Sequence, residues 1–377
     1  MKKKTRVLRE KETTKKKGVS KVSEKKGVSK PLDLELEDLK PKNLDKPHYN
    51  DWYSVINFQH EGKECLAKFA ITEGTLMGQN TKLHFAEGPV SLKKEGDAQV
   101  LEENTNEINK IKPMEANAFK YSESSDAIKV ELGDFTAICK KNERKIISKD
   151  ENLGGELTFT PRGPPLWWGG NKNALCQITE NTGVSGAETL NDVKGKLVVN
   201  GEEVEVEGRG LFERVWFGSL NFLELRQVDW IYSNFDQAYM FFCPVESVTS
   251  DGRPSRFVTG EIYIISEDDY LIAREVQVMP ENWVYVKAAY KFIPTQHKVK
   301  VKTDKGELEM KATLSAYPQF SQTRRVDFLT LQNITGWYVL FFEPPTVFEG
   351  KFTYNDGKTI ELTNGQGMNE QIRVSPL

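Results

Sequence analysis

Histidine, cysteine and long apolar runs are all scarce in this chain of 377 residues, and each scarcity removes a class of function. The four histidines, His48, His60, His84 and His297, stand at no metal-ligand spacing from one another, from cysteine or from a carboxylate pair. That argues against a metal site, and no cofactor motif is expected. The four cysteines, Cys65, Cys139, Cys176 and Cys243, include no CxxC pair. Scattered thiols suit a reducing compartment, so the expected location is cytoplasmic and no disulfide framework is expected. No stretch approaches 18 apolar residues, so none reads as a membrane span, and the charged start lacks the apolar core of a secretory signal. Gly208-x-Gly210 and Gly365-x-Gly367 lack the third glycine and following helix of a dinucleotide site. Inside strands such glycines admit a bulge or a close backbone approach.

Aromatic residues are plentiful, with 20 Phe, 12 Tyr and 7 Trp, and they suit pleated surfaces. Strands are predicted at Asp51–Gln59 and Glu64–Ile71 around a turn at His60–Lys63. Gly195–Val199 and Glu203–Glu207 alternate strictly around Gly201, as a half-solvated hairpin does. Phe257–Ile265, Tyr270–Met279, Trp283–Phe292, Lys298–Lys302 and Leu308–Ala316 continue the pattern, with turns expected at Gly260, Glu281-Asn282 and Asp304–Gly306. Only Asp97–Lys112 resembles a helix. The fold class is all-β, antiparallel, as barrels or sandwiches. The hairpin from Gly195 to Glu213 is echoed from Gly350 to Glu370, both ending Gly-x-Gly-x-x-Glu, which predicts two related domains.

Charge divides the chain differently. Residues 1–30 hold thirteen Lys and Arg against three Glu, a local charge of +10, leaving about −13 on the remainder. The expected organisation is a disordered Lys-rich tail over 1–40, an N-terminal domain over 41–225 and a C-terminal domain over 226–377. No aromatics interleave the lysines, so the tail reads as solubilising and no nucleic-acid partner is expected. A weak contact with anionic surfaces stays open. Removing residues 1–40 is expected to leave the fold intact.

The segment Gly210-Leu-Phe-Glu-Arg-Val-Trp-Phe-Gly218 sets Glu213 and Arg214 inside an aromatic strand, on opposite faces. A carboxyl in an apolar cavity is held neutral and can act as a general acid; the alternative is a buried carboxylate satisfied by backbone donors or a distant arginine. Glu370 matches Glu213 in the second half, where a structural role is expected. Trp52, Tyr53, Trp167, Trp168, Phe212, Arg214, Trp216 and Trp230 are the candidates to line a greasy pocket, with core packing as the competing role.

Asp51-Trp-Tyr-Ser-Val-Ile-Asn-Phe58, the hairpin Val193–Gly218, Asp229-Trp230, Asp251-Gly252 and Phe348-Glu-Gly350 through Glu370 resemble, in order, landmarks of a two-domain lipocalin-like family. That family includes hydroxyneurosporene synthase (carotenoid 1,2-hydratase), AttH-like proteins and fungal cyclases of the Diels–Alderase type. The resemblance covers residues 48–373 and implies two lipocalin-like (calycin-like) domains acting on a hydrophobic small-molecule partner, isoprenoid or polyketide-like. Where the family has Asp-His, this chain has Glu213-Arg214. An arginine cannot exchange protons at neutral pH as a histidine does. Two readings follow: a hydratase, isomerase or cyclase using Glu213 as acid, or a carrier or sensor without turnover.

Overall fold

The computed structural model describes residues 33–42, 48–74, 78–104, 106–115, 117–172, 174–218, 224–289, 291–324 and 337–376. The strands that build the site in the first half are β1 (His48–His60), β2 (Lys63–Gly74), β3 (Gln79–Glu87), β4 (Ile108–Met114), β5 (Gly183–Val199) and β6 (Glu202–Gly218). They run β4-β3-β2-β1-β6-β5 in an antiparallel 13-stranded sheet that continues into five strands between Lys120 and Pro161. The second half contributes β7 (Leu225–Asn234), β8 (Ala238–Val248), β9 (Pro254–Ile264), β10 (Asp269–Val286), β11 (Lys291–Thr303) and β12 (Gly306–Leu314). It ends in β13 (Gln319–Arg324), β14 (Trp337–Glu343), β15 (Pro345–Tyr354) and β16 (Thr359–Pro376). This sheet closes on itself because β7 pairs with both β8 and β16. Among the described residues the only α-helix is Leu36–Leu39, and no helix is long and apolar enough to cross a membrane.

The two halves repeat one arrangement. β1 lies beside β6 as β7 lies beside β16, and the glycine pairs sit at that seam. A Cβ on Gly208 or Gly210 would meet the carbonyl oxygens of Asn57 and Val55 at 2.2 and 2.4 Å. On Gly367 it would meet Tyr232 O at 2.1 Å, and on Gly365 the Phe235 ring at 2.2 Å. Close approach is therefore what these glycines permit.

Strand alternation sorts the side chains into three layers. One face of β1, β2 and β6 sends Trp52, Ile56, Phe58, Phe69 and Phe212 into the interior of the first half. Ile231, Met240, Phe242 and Ile262 fill the interior of the second. The opposite faces, carrying Tyr53, Val55, Leu66, Leu211, Trp230, Tyr232 and Phe241, pack against each other between the halves. Each interior is lined by its own cluster of buried side chains. Polar pins join the halves: Tyr232 OH donates to Asn57 Oδ1 at 2.7 Å, and Lys68, fully buried, pairs with Glu343.

Several expectations change. Asp97–Lys112 is not helical; it holds a short strand at Ala98–Leu101 and the start of β4, the poor apolar spacing having been the warning. The hairpin Leu92–Glu95/Ala98–Leu101 crosses to the second sheet, Val100 pairing with Tyr285 of β10. Gly260 lies inside β9, where its Cβ would come within 2.7 Å of Phe241 O. Asn282, at φ 52°, sits inside β10, so a left-handed residue that reads as a turn is absorbed by the strand.

The tail boundary also moves. Disorder expected of residues 1–32 lies outside the described residues, but 33–42 belong to the first half. Leu34 and Leu39 are buried in its interior, and the helix start is closed by Asp38 accepting the Glu35 N–H at 2.8 Å. Trp52 Nε1 donates to Leu39 O at 3.1 Å. Arg214 reaches the same segment, donating to Lys40 O at 2.6 Å and Leu39 O at 3.4 Å, with further bonds to Asn50 Oδ1 and Val215 O. Its guanidinium lies 4.2 Å from the Trp52 ring centre.

Truncation through residue 40 therefore lowers the thermal midpoint, since burying each leucine is worth about 1.5–3 kcal/mol, whereas truncation through 32 leaves it unchanged. Equal midpoints would contradict the docking. Arg214→Leu strands the Leu39 and Lys40 carbonyls and reproduces the destabilisation in a thermal melt of the full chain; an unchanged midpoint would show that Arg214 does not hold the segment.

Candidate functional site

A cavity lies between the halves. It measures about 400 Å³ and is walled by Tyr53, Trp168, Phe217, Val228, Trp230 and Phe341 among others. A volume of this size matches pockets for small organic ligands.

The register of the first sheet draws one transverse row along this cavity. Glu188 of β5 faces Glu213 of β6, Glu213 faces Tyr53 of β1, Tyr53 faces Ala70 of β2, and Ala70 faces Lys82 of β3. Two carboxyls thus meet as direct cross-strand neighbours, where like charges repel. Glu188 Oε1 accepts the indole N–H of Trp168 at 2.9 Å and of Trp230 at 3.4 Å. Its Oε2 is buried with no donor from elsewhere. The missing donor is a proton on Glu213. Burial first, and then the Glu188 charge beside it, hold Glu213 well above the usual carboxylate range. Burial pushes Glu188 up to about 7, opposed by the indole donors. Glu213 is therefore the protonated member of the pair, and Glu188 the one that ionises first.

The second half places Glu370 in the equivalent position, opposite Trp230 on β7. Glu370 lines the same cavity, and burial pushes it up to about 8. Asp51 lines it too, raised to about 6 by burial, with its carboxylate accepting from Tyr49 OH at 3.0 Å and Thr72 Oγ1 at 3.3 Å. The cavity is thus an apolar space with neutral acids on both walls. Among the described residues, no group of His, Cys, Asp and Glu is arranged to hold a metal.

Of the residues singled out from the sequence, Glu213, Tyr53, Trp168 and Trp230 come together on this cavity. Trp52, Trp167 and Phe212 point the other way, into the first interior. Arg214 is buried on that side as well, with Trp216 beside it at 5.2 Å. Parity along β1 and β6 explains the split: Tyr53 and Glu213 share a face, as do Trp52, Phe212, Arg214 and Trp216. The anticipated arginine partner for Glu213 is absent from its face; its partner is Glu188. The sequence reading missed Glu188, Asp51 and Lys82, and it placed Glu370 outside the site. The available signal was a carboxylate inside an apolar strand, Gly186-Ala-Glu-Thr-Leu190, at the register position facing Glu213.

No family model matches the chain, and no curated protein does. Solved structures do. A Nitrosomonas europaea protein assigned as AttH superposes with a TM-score of 0.58 at 14% identity, covering 91% of this chain and 97% of its own. CghA, solved alone and with Sch210972, gives TM-scores of 0.58 and 0.56 at 8% identity, covering 87% of this chain and 89% of its own in each case. Kievitone hydratase from Nectria haematococca gives 0.51 at 13% identity, over 93% of this chain and 99% of its own. The chain has the two-domain β fold of AttH, CghA and kievitone hydratase, the fold its sequence landmarks resemble.

Proposed function

We propose that this protein binds a lipophilic small molecule, isoprenoid or polyketide-like, between its two halves and protonates it from Glu213. The reaction class is hydration, isomerisation or cyclisation. The observation that carries the reading is the neutral Glu213, held by the Glu188 carboxylate, on the wall of an aromatic cavity. A general acid needs its proton at working pH and a site that excludes water, and burial supplies both. After donation Glu213 is a carboxylate. The pair recovers its proton from the water that has added, or from the carbon that loses one, so the cycle closes with no oxidant or reductant. Among the structural neighbours, one is a hydratase and another is solved with Sch210972. The carrier reading draws on a different observation, that no histidine lines the cavity among the described residues.

Native mass spectrometry of protein purified from its own host identifies the co-purifying lipophile. With that compound, Glu213→Gln keeps affinity and loses turnover by about 100-fold or more. Retained turnover would overturn the catalytic reading; binding without turnover in the unaltered protein would leave the carrier.

The buried acids also set a pH dependence. Between pH 6.5 and 8.5 the unfolded carboxyls are already ionised, while Glu370 and Glu213 still hold protons in the folded state and Glu188 loses its own. The native state binds more protons, so stability falls as pH rises through this window. Thermal midpoints should decline from pH 6.5 to 8.5, less steeply in Glu213→Gln and Glu370→Gln. A rising midpoint, or identical slopes in all three, would refute the protonation states.

A further inference from the structure

Lys82 is the one basic residue lining the cavity among the described residues. It is half-buried, on the face of β3 that also carries Asn80, and opposite Ile111 of β4. Ile111 lines the cavity and is 46% exposed, which marks this end as the mouth. Other cations nearby are matched: Lys68 has Glu343, and Lys110 and Lys112 have Asp150. Lys82 makes no hydrogen bond or ion pair with any described residue. The acids facing the same space are engaged elsewhere or neutral. Asp51 accepts from Tyr49 and Thr72 and feels the Lys82 charge, as Glu370 does, but neither carboxyl forms an ion pair with Lys82; Glu343 has Lys68, and Glu213 and Glu370 keep their protons. Asn80, 5% exposed, lines the cavity with an amide oxygen that has no donor, and turning the amide offers its N–H groups to the same space. A partly desolvated ammonium beside an unused amide is a site for an oxyanion.

We propose that the ligand carries one carboxylate-class acidic group, which docks on Lys82 and Asn80 at the mouth while its apolar body runs over Tyr53 to Glu213. This rests on the lipophile reading above and adds the head group and its distance from the reaction. Lys82 and Glu213 are three strands apart in one row, so their backbones are separated by about 14 Å along the sheet. The acidic group and the carbon that receives the proton therefore sit at opposite ends of the bound molecule. A single ammonium suits a monoanion; a phosphate dianion calls for more donors than this end provides.

The test uses the full chain and dansylaminoundecanoic acid, its methyl ester, and dodecyl phosphate as competitor, read by fluorescence. The acid should bind roughly tenfold or more tightly than the ester, as expected for a charge-assisted bond. Lys82→Met should abolish that preference while leaving ester affinity intact, and Lys82→Arg should retain it. Should Lys82→Met fail to fold, Lys82→Gln replaces it, and the acid-to-ester ratio of the unaltered protein still decides. Equal binding of acid and ester, or a preference that survives Lys82→Met, overturns the head-group proposal and leaves the lipophile reading standing. Dodecyl phosphate displacing the probe better than dodecanoic acid does overturns the carboxylate assignment. Binding of neither probe overturns the lipophile reading and the proposal with it.

Discussion

Each half of this protein has a sheet that is apolar on both faces, and that constraint shapes everything else. One face fills an interior; the other, carrying Val55, Leu66, Leu211, Tyr232 and Phe241, must be covered by the opposite half. Docking the two outer faces removes a large apolar area from water, at about 25 cal/mol per Å². It also carries the polar residues of those faces into a dry seam. Glu188, Glu213 and Asp51 are buried there, with Glu370 half-buried beside them, because their neighbours on the same face demand it. Their protonation follows from the burial.

A repeated hairpin makes this arrangement possible twice. Gly208-x-Gly210 and Gly365-x-Gly367 let β6 and β16 press against β1 and β7, and the glutamate three residues later lands on the seam in both halves. The halves have diverged around it. Glu213 meets a second carboxyl on β5, which makes it the protonated member of the pair, while Glu370 stands opposite Trp230 with Glu343 and Lys68 close enough to act on it. The first half therefore offers the stronger candidate for proton transfer.

Much of this was legible in the sequence. Alternation and turn residues indicated the all-β class, the Gly-x-Gly-x-x-Glu echo indicated the repeat, and Glu213 stood out as a carboxyl on an aromatic strand. What alternation does not reveal is which face of a doubly apolar strand looks inward. Trp52, Phe212, Arg214 and Trp216 therefore read as pocket residues when they belong to the first interior and its cap. Glu188 lies 25 residues before Glu213 in the chain, and only the pairing register of β5 and β6 brings them together. Leu34 and Leu39 were hidden by a charged context, since two leucines beside many lysines and glutamates look like a tail.

The account stands on a neutral Glu213 in the seam. Infrared difference spectroscopy at pH 7, comparing the protein with Glu213→Gln, reads that state directly. The account predicts a protonated-carboxyl C=O stretch that the substitution removes. Loss of carboxylate bands alone, with no protonated-carboxyl band in the difference, would contradict it.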